Sequence, residues 1–178
     1  MMLYRVSAAW ARIELWAAAF LAVCVTFLVL LNVATRNTGN ALFWVDELAI
    51  YAMAWMTFLG ASAALHHRNS VAITLLPDAV SPRVKAVTIK IVDIIVFAFA
   101  LAMLWFCWRW FMPLEFARSG FDSKVFQGNT FNFIYAEPTS TLGVPKYVFW
   151  AVMWLFALGA TLHSAMHLLG ARPRDEQS

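Results

Sequence analysis

The sequence predicts an all-α integral membrane protein with four transmembrane helices and both termini in the cytoplasm. Three observations carry that expectation. Of 178 residues, 62 % are hydrophobic and 13 % are charged, with a mean hydropathy of +0.70, whereas about a quarter of a soluble domain is charged. Nine Trp and fifteen Phe suit a chain whose aromatic side chains gather at membrane interfaces. Uncharged runs long enough to cross a bilayer recur along the chain.

The first of these, Leu15 to Thr35, has 21 residues, and at about 1.5 Å per residue a helix of that length covers about 30 Å, the hydrocarbon thickness. The first span is therefore placed at 14–35. Arg5 and Arg12 precede it in the manner of a signal peptide, but the run is longer than the h-region of about 7–15 residues, so it is read as uncleaved. Glu14 is expected at the headgroup level with Arg12 in reach. An acid early in a first span is also a feature of small multidrug exporters, but the flanking arginine favours the interface. Thr35 to Ala41 is a connection broken by Asn37, Gly39 and Asn40, with room for a short interfacial helix before the second span.

That second span is placed at 46–66. Asp46 and Glu47 fall in its first turn, where unpaired N–H groups and the positive end of the helix dipole favour carboxylates. Leu48 to Leu65 then runs for 18 residues without a charge, about 27 Å as a helix. Trp44, Glu47, Tyr51, Trp55 and Phe58 recur at helical spacing, and Gly60 to Ala64 are small enough for close approach of another helix. The connection from His66 to Lys90 sets Arg68, Arg83, Lys85 and Lys90 against Asp78 and is the most basic loop.

A third span is placed at 88–111, with Pro113 fixing its end. Lys90 and Asp93 are three apart on it and can pair at the membrane surface, a simpler reading of Asp93 than a proton relay. The long loop 112–146 is placed in the periplasm. It is too rich in Phe and Tyr for a disordered linker and is expected to be ordered. The fourth span, 147–169, ends before Gly170. Residues 1–170 thus form a single four-helix domain and 171–178 a cytoplasmic tail. Eight Lys and Arg lie at the termini and in the second loop against five in the other two loops, which sets the orientation by the positive-inside rule. The same scatter explains the net charge of +3 without a basic stripe, so nucleic acid is not an expected partner. The bilayer is.

Few constellations offer chemistry. Cys24 and Cys107 sit in apolar runs without CxxC spacing and read as inert. His66, His67, His163 and His167 are brought to one membrane level by the second and fourth spans, His163 and His167 being i, i+4. Such a set could ligate haem or a metal. Histidines near helix C-termini also complement the dipole there, and no Cys or carboxylate close in sequence completes a metal set. No nucleophile elbow, phosphate-cradling glycine loop or HExxH occurs. Neither enzyme activity nor a bound cofactor or metal is expected.

The stretch from Asn32 to Val71 is the most specific. Asn32-Val33, Arg36, Trp44, Asp46-Glu47-Leu48, Trp55, Phe58-Leu59-Gly60-Ala61 and Arg68 before Val71 resemble the small membrane subunit, or Q subunit (DctQ-like), of TRAP (tripartite ATP-independent periplasmic) transporters. Leu76-Pro77 and Thr141 to Pro145 (T-L-G-V-P) extend the likeness. The sequence departs mildly from the family pattern in Asn69-Ser70-Val71 and in having Asp-Glu where Glu-Glu is common. Its third loop looks longer and more aromatic. The resemblance implies a non-catalytic scaffold for a large permease subunit in sodium-coupled uptake of an organic acid delivered by a periplasmic substrate-binding protein. It makes Arg36, Trp44, Asp46, Glu47, Trp55, Gly60 and Arg68 the family-motif and partner-interface residues, with Arg36 expected to pair with Asp46 or Glu47. The competing expectations are a four-helix membrane cytochrome or metal-binding redox subunit built on the histidines, and a stand-alone small exporter.

Overall fold

A computed structural model of the chain describes residues 2–67 and 81–170. Arg68, Leu76-Pro77 and the tail 171–178 lie outside the described residues. Among the described residues four apolar helical stretches are long enough to cross a membrane, and the secondary structure is helical apart from turns and one isolated bridge between Pro138 and Pro145.

Helix α1 (Met2–Asn37) is 36 residues long, so it begins well before the uncharged run that marks the first span. The cause is visible in its buried stripe, Ser7, Ala11, Glu14 and Ala18, which recurs every three or four residues and so faces one way on a helix. Arg5 and Arg12 fall on the exposed side. After the turn at Gly39 (φ 74°), α2 (Phe43–His67) starts directly. No separate interfacial helix intervenes between α1 and α2.

Helix α3 (Pro82–Phe111) carries Pro at its start, where the missing N–H costs nothing. It ends at Met112 in the left-handed region (φ 44°), with its N–H donating to the Trp108 carbonyl. Pro113 then opens the short α4 (Pro113–Arg118), and α5 (Ser123–Thr130) follows, capped by Asp122, whose carboxylate accepts from the Lys124 and Val125 N–H groups. The last span is α6 (Tyr147–Trp150) joined at Ala151 to α7 (Val152–Leu168).

The helices do not close into a symmetric bundle. Helix α1 packs along α2, α2 along α7, and α3 along the other side of α7, with a lighter contact between α1 and α7. In its most apolar window the last span is 39 % buried and α3 only 6 %, so α7 is the central helix and α3 the peripheral one. Separate small apolar clusters hold these contacts. Ala18, Leu59 and Val152 join α1, α2 and α7, while Ala100, Phe156 and Ala160 join α3 to α7.

The third loop has a core of its own. Phe111, Phe126 and Ile134 are buried beneath Phe116, Tyr135, Tyr147, Trp150 and Trp154. Phe116 and Tyr135 stack at 3.8 Å, and the Tyr135 phenol donates to the Phe111 carbonyl at 2.7 Å. Burial raises the Tyr135 pKa above the ordinary tyrosine value.

Candidate functional site

The polar side chains collect at the two ends of the helices. At the end away from the termini, Arg36 lies in the last turn of α1 and Asp46 in the first turn of α2, only a five-residue turn apart. The Arg36 guanidinium meets the Asp46 carboxylate at 2.5 Å and donates from Nε to Asn32 Oδ1 at 2.8 Å, while the Asn32 amide donates to Asp46. Each charge therefore sits at the helix end that favours it, basic at the C-terminus and acidic at the N-terminus. Of the two acids that could pair with Arg36, Asp46 is the partner.

Glu47 does something different. Its carboxylate accepts from the Ser140 N–H at 2.8 Å, the Thr141 N–H and hydroxyl at 2.6 Å each, and the Leu142 N–H at 3.3 Å. The family-like acid of the second span thus grips the T-L-G-V-P segment ahead of the fourth. Beside it the Lys146 ammonium donates to Glu137 at 2.5 Å, a bond that raises the Lys146 pKa above the ordinary lysine value. Replacing Glu47 by Ala strips the acceptor from three backbone N–H groups at once. Residues 139–145 are then expected to exchange amide hydrogens faster in a deuterium-exchange experiment while the spans stay protected. Unchanged exchange there would show that the loop holds itself.

Trp55 continues the same tie, its indole N–H donating to the Phe149 carbonyl at 2.7 Å. Backbone bonds across the α6–α7 junction run from Ala151 to Tyr147 and from Trp154 and Leu155 to Ala151, which leaves the Phe149 carbonyl to the indole. The Tyr51 and Phe149 rings stack at 4.0 Å. Trp44 is exposed, and Gly60 has nothing within 4 Å of where a Cβ would be. Gly60 itself is therefore not used for a tight approach within this chain, although Ser62 and Ala63 of the same small patch are buried.

The glycine with that role is Gly159 of α7, where a Cβ would run into Ser62 Oγ, Glu14 Oε1 and Trp10 Nε1. It lies next to a buried polar cluster at the terminal end of the helices. Glu14 is 2 % exposed and turned away from Arg12, which corrects the expected pairing of the two. Its Oε1 accepts from the Trp10 indole at 2.8 Å and its Oε2 lies 3.0 Å from His163 Nε2. Ser7 Oγ lies 2.8 Å from Nδ1 of His163 and 2.8 Å from Nδ1 of His66. His167 donates from Nε2 to the carbonyls of Leu65 and His66 at 2.9 and 3.1 Å, so it caps the C-terminal end of α2 as a helix-end histidine should. His67 is exposed.

The histidines do converge, but as members of a hydrogen-bonded cluster. Among the described residues no group of three or more His, Cys, Asp or Glu side chains is placed to hold a metal ion. The redox-subunit expectation thus has no ligand set to stand on. What sequence reading missed was Ser7 and the inward direction of Glu14, although the small and polar stripe Ser7, Ala11, Glu14, Ala18 is visible as a helical repeat.

Long exposed apolar helices, an ion pair that joins two helix ends and a folded aromatic loop define a multi-pass membrane protein. A family model confirms the particular class. The model for "Tripartite ATP-independent periplasmic transporters, DctQ component" matches residues 25–174, and the chain belongs to that family. It is a small, non-catalytic membrane subunit of a TRAP transporter, located in the bacterial inner membrane. No curated protein and no solved structure matches the chain.

Proposed function

We propose that the chain is the fixed membrane partner of a large permease subunit that carries out sodium-coupled uptake of an organic acid handed over by a periplasmic substrate-binding protein. The observation that carries this reading is the unburied apolar surface. Helix α3 has few buried residues in its most apolar stretch, and Ile94, Ile95, Phe99, Trp105 and Phe106 are exposed along it. Ile13, Trp16, Phe20, Val23, Phe27 and Leu30 form a second exposed ridge along α1. Both surfaces suit lipid or a large membrane partner. The termini are read as cytoplasmic on the charge bias, which turns the aromatic loop and the Arg36–Asp46 pair to the periplasm. Phe121 and Phe131, 70 % and 82 % exposed, then face the side from which a binding protein approaches. Trp44 and Gly60 remain as interface residues, because Trp44 is exposed and a Cβ at Gly60 would meet open space, whereas Arg36, Asp46, Glu47 and Trp55 are tied up internally.

Gly60 gives the sharpest experiment. A side chain there meets open space in this subunit, so Gly60→Leu is expected to leave its own fold intact and to abolish co-purification with the large subunit. Binding-protein-dependent uptake in proteoliposomes is expected to fall with it. If the variant co-purifies and transports at the wild-type level, that face is not where the partner docks. If the wild-type chain itself neither co-purifies with the large subunit nor supports uptake, the scaffold reading fails.

A further inference from the structure

Helix α3 carries no charge from Ile94 to Trp108, and the first charge after that run is Arg109. In a membrane span such a change marks where hydrocarbon gives way to headgroups. Trp105, Trp108 and Trp110 are exposed around it, the position that Trp takes at a membrane surface. The end of α3 is therefore a depth gauge, and the third loop is fastened to it.

A helix leaves its last carbonyls without intrahelical partners, and beside lipid such groups need one. The Trp110 carbonyl accepts from the Asn132 amide at 2.7 Å and the Phe111 carbonyl from the Tyr135 phenol at 2.7 Å. Asn132 is held in turn, its N–H donating to the Thr130 hydroxyl at 3.2 Å and its Oδ1 accepting from the Ile134 N–H at 3.0 Å. Residues 131–135 thus lie level with the last turn of α3, at the depth of its Trp residues.

Inside and outside alternate along this segment. Asn132 is half-buried and Ile134 is buried in the loop core, whereas Phe131 and Phe133 are 82 % and 52 % exposed. Holding Asn132 and Ile134 inward turns the two Phe rings outward. Phe131 also stands in left-handed backbone (φ 55°) at the end of α5, its N–H donating to the Gln127 carbonyl at 2.9 Å. Glycine is the residue that costs least in such a place. A bulky side chain there is strained, and its exposure leaves that strain without compensation from packing within the chain.

We infer that Phe131 and Phe133 are a membrane-surface anchor. Their rings enter the boundary between headgroups and acyl chains in the leaflet away from the termini, and they tie the third loop to the bilayer. Depth selects lipid as the partner, because the rings sit beside the end of a span and not above it. Arg109, exposed between Trp108 and Trp110, supplies a cation for lipid phosphate at the same level. Docking of a soluble protein on these rings would require them to stand clear of the membrane. Phe121, whose N–H donates to the Phe116 carbonyl, is not fastened to the end of α3 and lies outside the anchor.

The test places a nitroxide label at Phe131→Cys and, separately, at Phe133→Cys in the full chain, in nanodiscs of phosphatidylethanolamine and phosphatidylglycerol. Cys24 is replaced by Ser, and Cys107, which is 0 % exposed, is left in place. Collisions of each label with oxygen, which concentrates in the bilayer, are compared with collisions with a water-soluble nickel chelate. Labels at Phe99→Cys, exposed within the uncharged stretch of α3, and at Asn40→Cys, exposed in the first turn, supply the lipid and water references. Both Phe labels are expected to give oxygen-to-nickel ratios above that of Asn40 and between the two references. A ratio equal to that of Asn40 at either position overturns the proposal. If that label then loses access to both reagents when the periplasmic binding protein is added, the rings are a protein-docking surface instead.

Discussion

Replacing Glu14 by Ala is expected to destabilise the folded subunit by about 1–3 kcal/mol for each donor left unsatisfied, the usual cost of a buried polar group without its partner. The loss falls on two donors at once. The Trp10 indole and His163 Nε2 both point at the carboxylate and would be left without an acceptor in a site closed to water. Equilibrium unfolding of the purified chain in mixed micelles measures it. A change within about 0.5 kcal/mol, the range of ordinary surface substitutions, would mean that the cluster is not holding α1 to α7. Glu14→Gln keeps an acceptor oxygen and is expected to lie between the two.

The second large effect is at Gly159. A methyl there collides with Ser62 Oγ, Glu14 Oε1 and Trp10 Nε1, so Gly159→Ala is expected to cost about 1–3 kcal/mol by overpacking. Gly159→Leu is expected to prevent recovery of a monodisperse protein. Gly60 supplies the control, because it too lies inside a helix but its Cβ position is open. There alanine only improves helix propensity, by up to about 1 kcal/mol. The same substitution at two helical glycines should therefore move the unfolding midpoint in opposite directions. Equal shifts at both sites would show that the crowding at Gly159 is relieved by small movements.

The contrast between these glycines shows what a sequence exposes and what it hides. Four spans were legible because apolar runs of membrane length need no partner to be recognised. The Arg36–Asp46 pair was legible as one of two options, since the residues are ten apart and a short turn must bring them together. Glu47 was recognised as a motif acid and Thr141 to Pro145 as a motif segment, but nothing local joins residues 94 apart. Trp55 was hidden for another reason, since its acceptor is a backbone carbonyl and carbonyls leave no trace in composition. Glu14 was misplaced because Arg12, two residues away, was weighed as its partner. On a helix those two point to different sides, and the true partner, His163, is 149 residues distant. Gly60 attracted notice through its small neighbours, whereas Gly159 faces large and polar groups from other helices.

The ties between α2 and the last span also have a mechanical meaning. Glu47 is fastened to residues 140–142 at one end, Trp55 to Phe149 further along, and the α2 terminus to His167 at the other end. The last span is thus pinned to α2 at two heights, and the loop leading into it is held at a third, so the two helices cannot slide against each other unless a bond breaks. The pair behaves as a strut whose length and angle are fixed across the membrane.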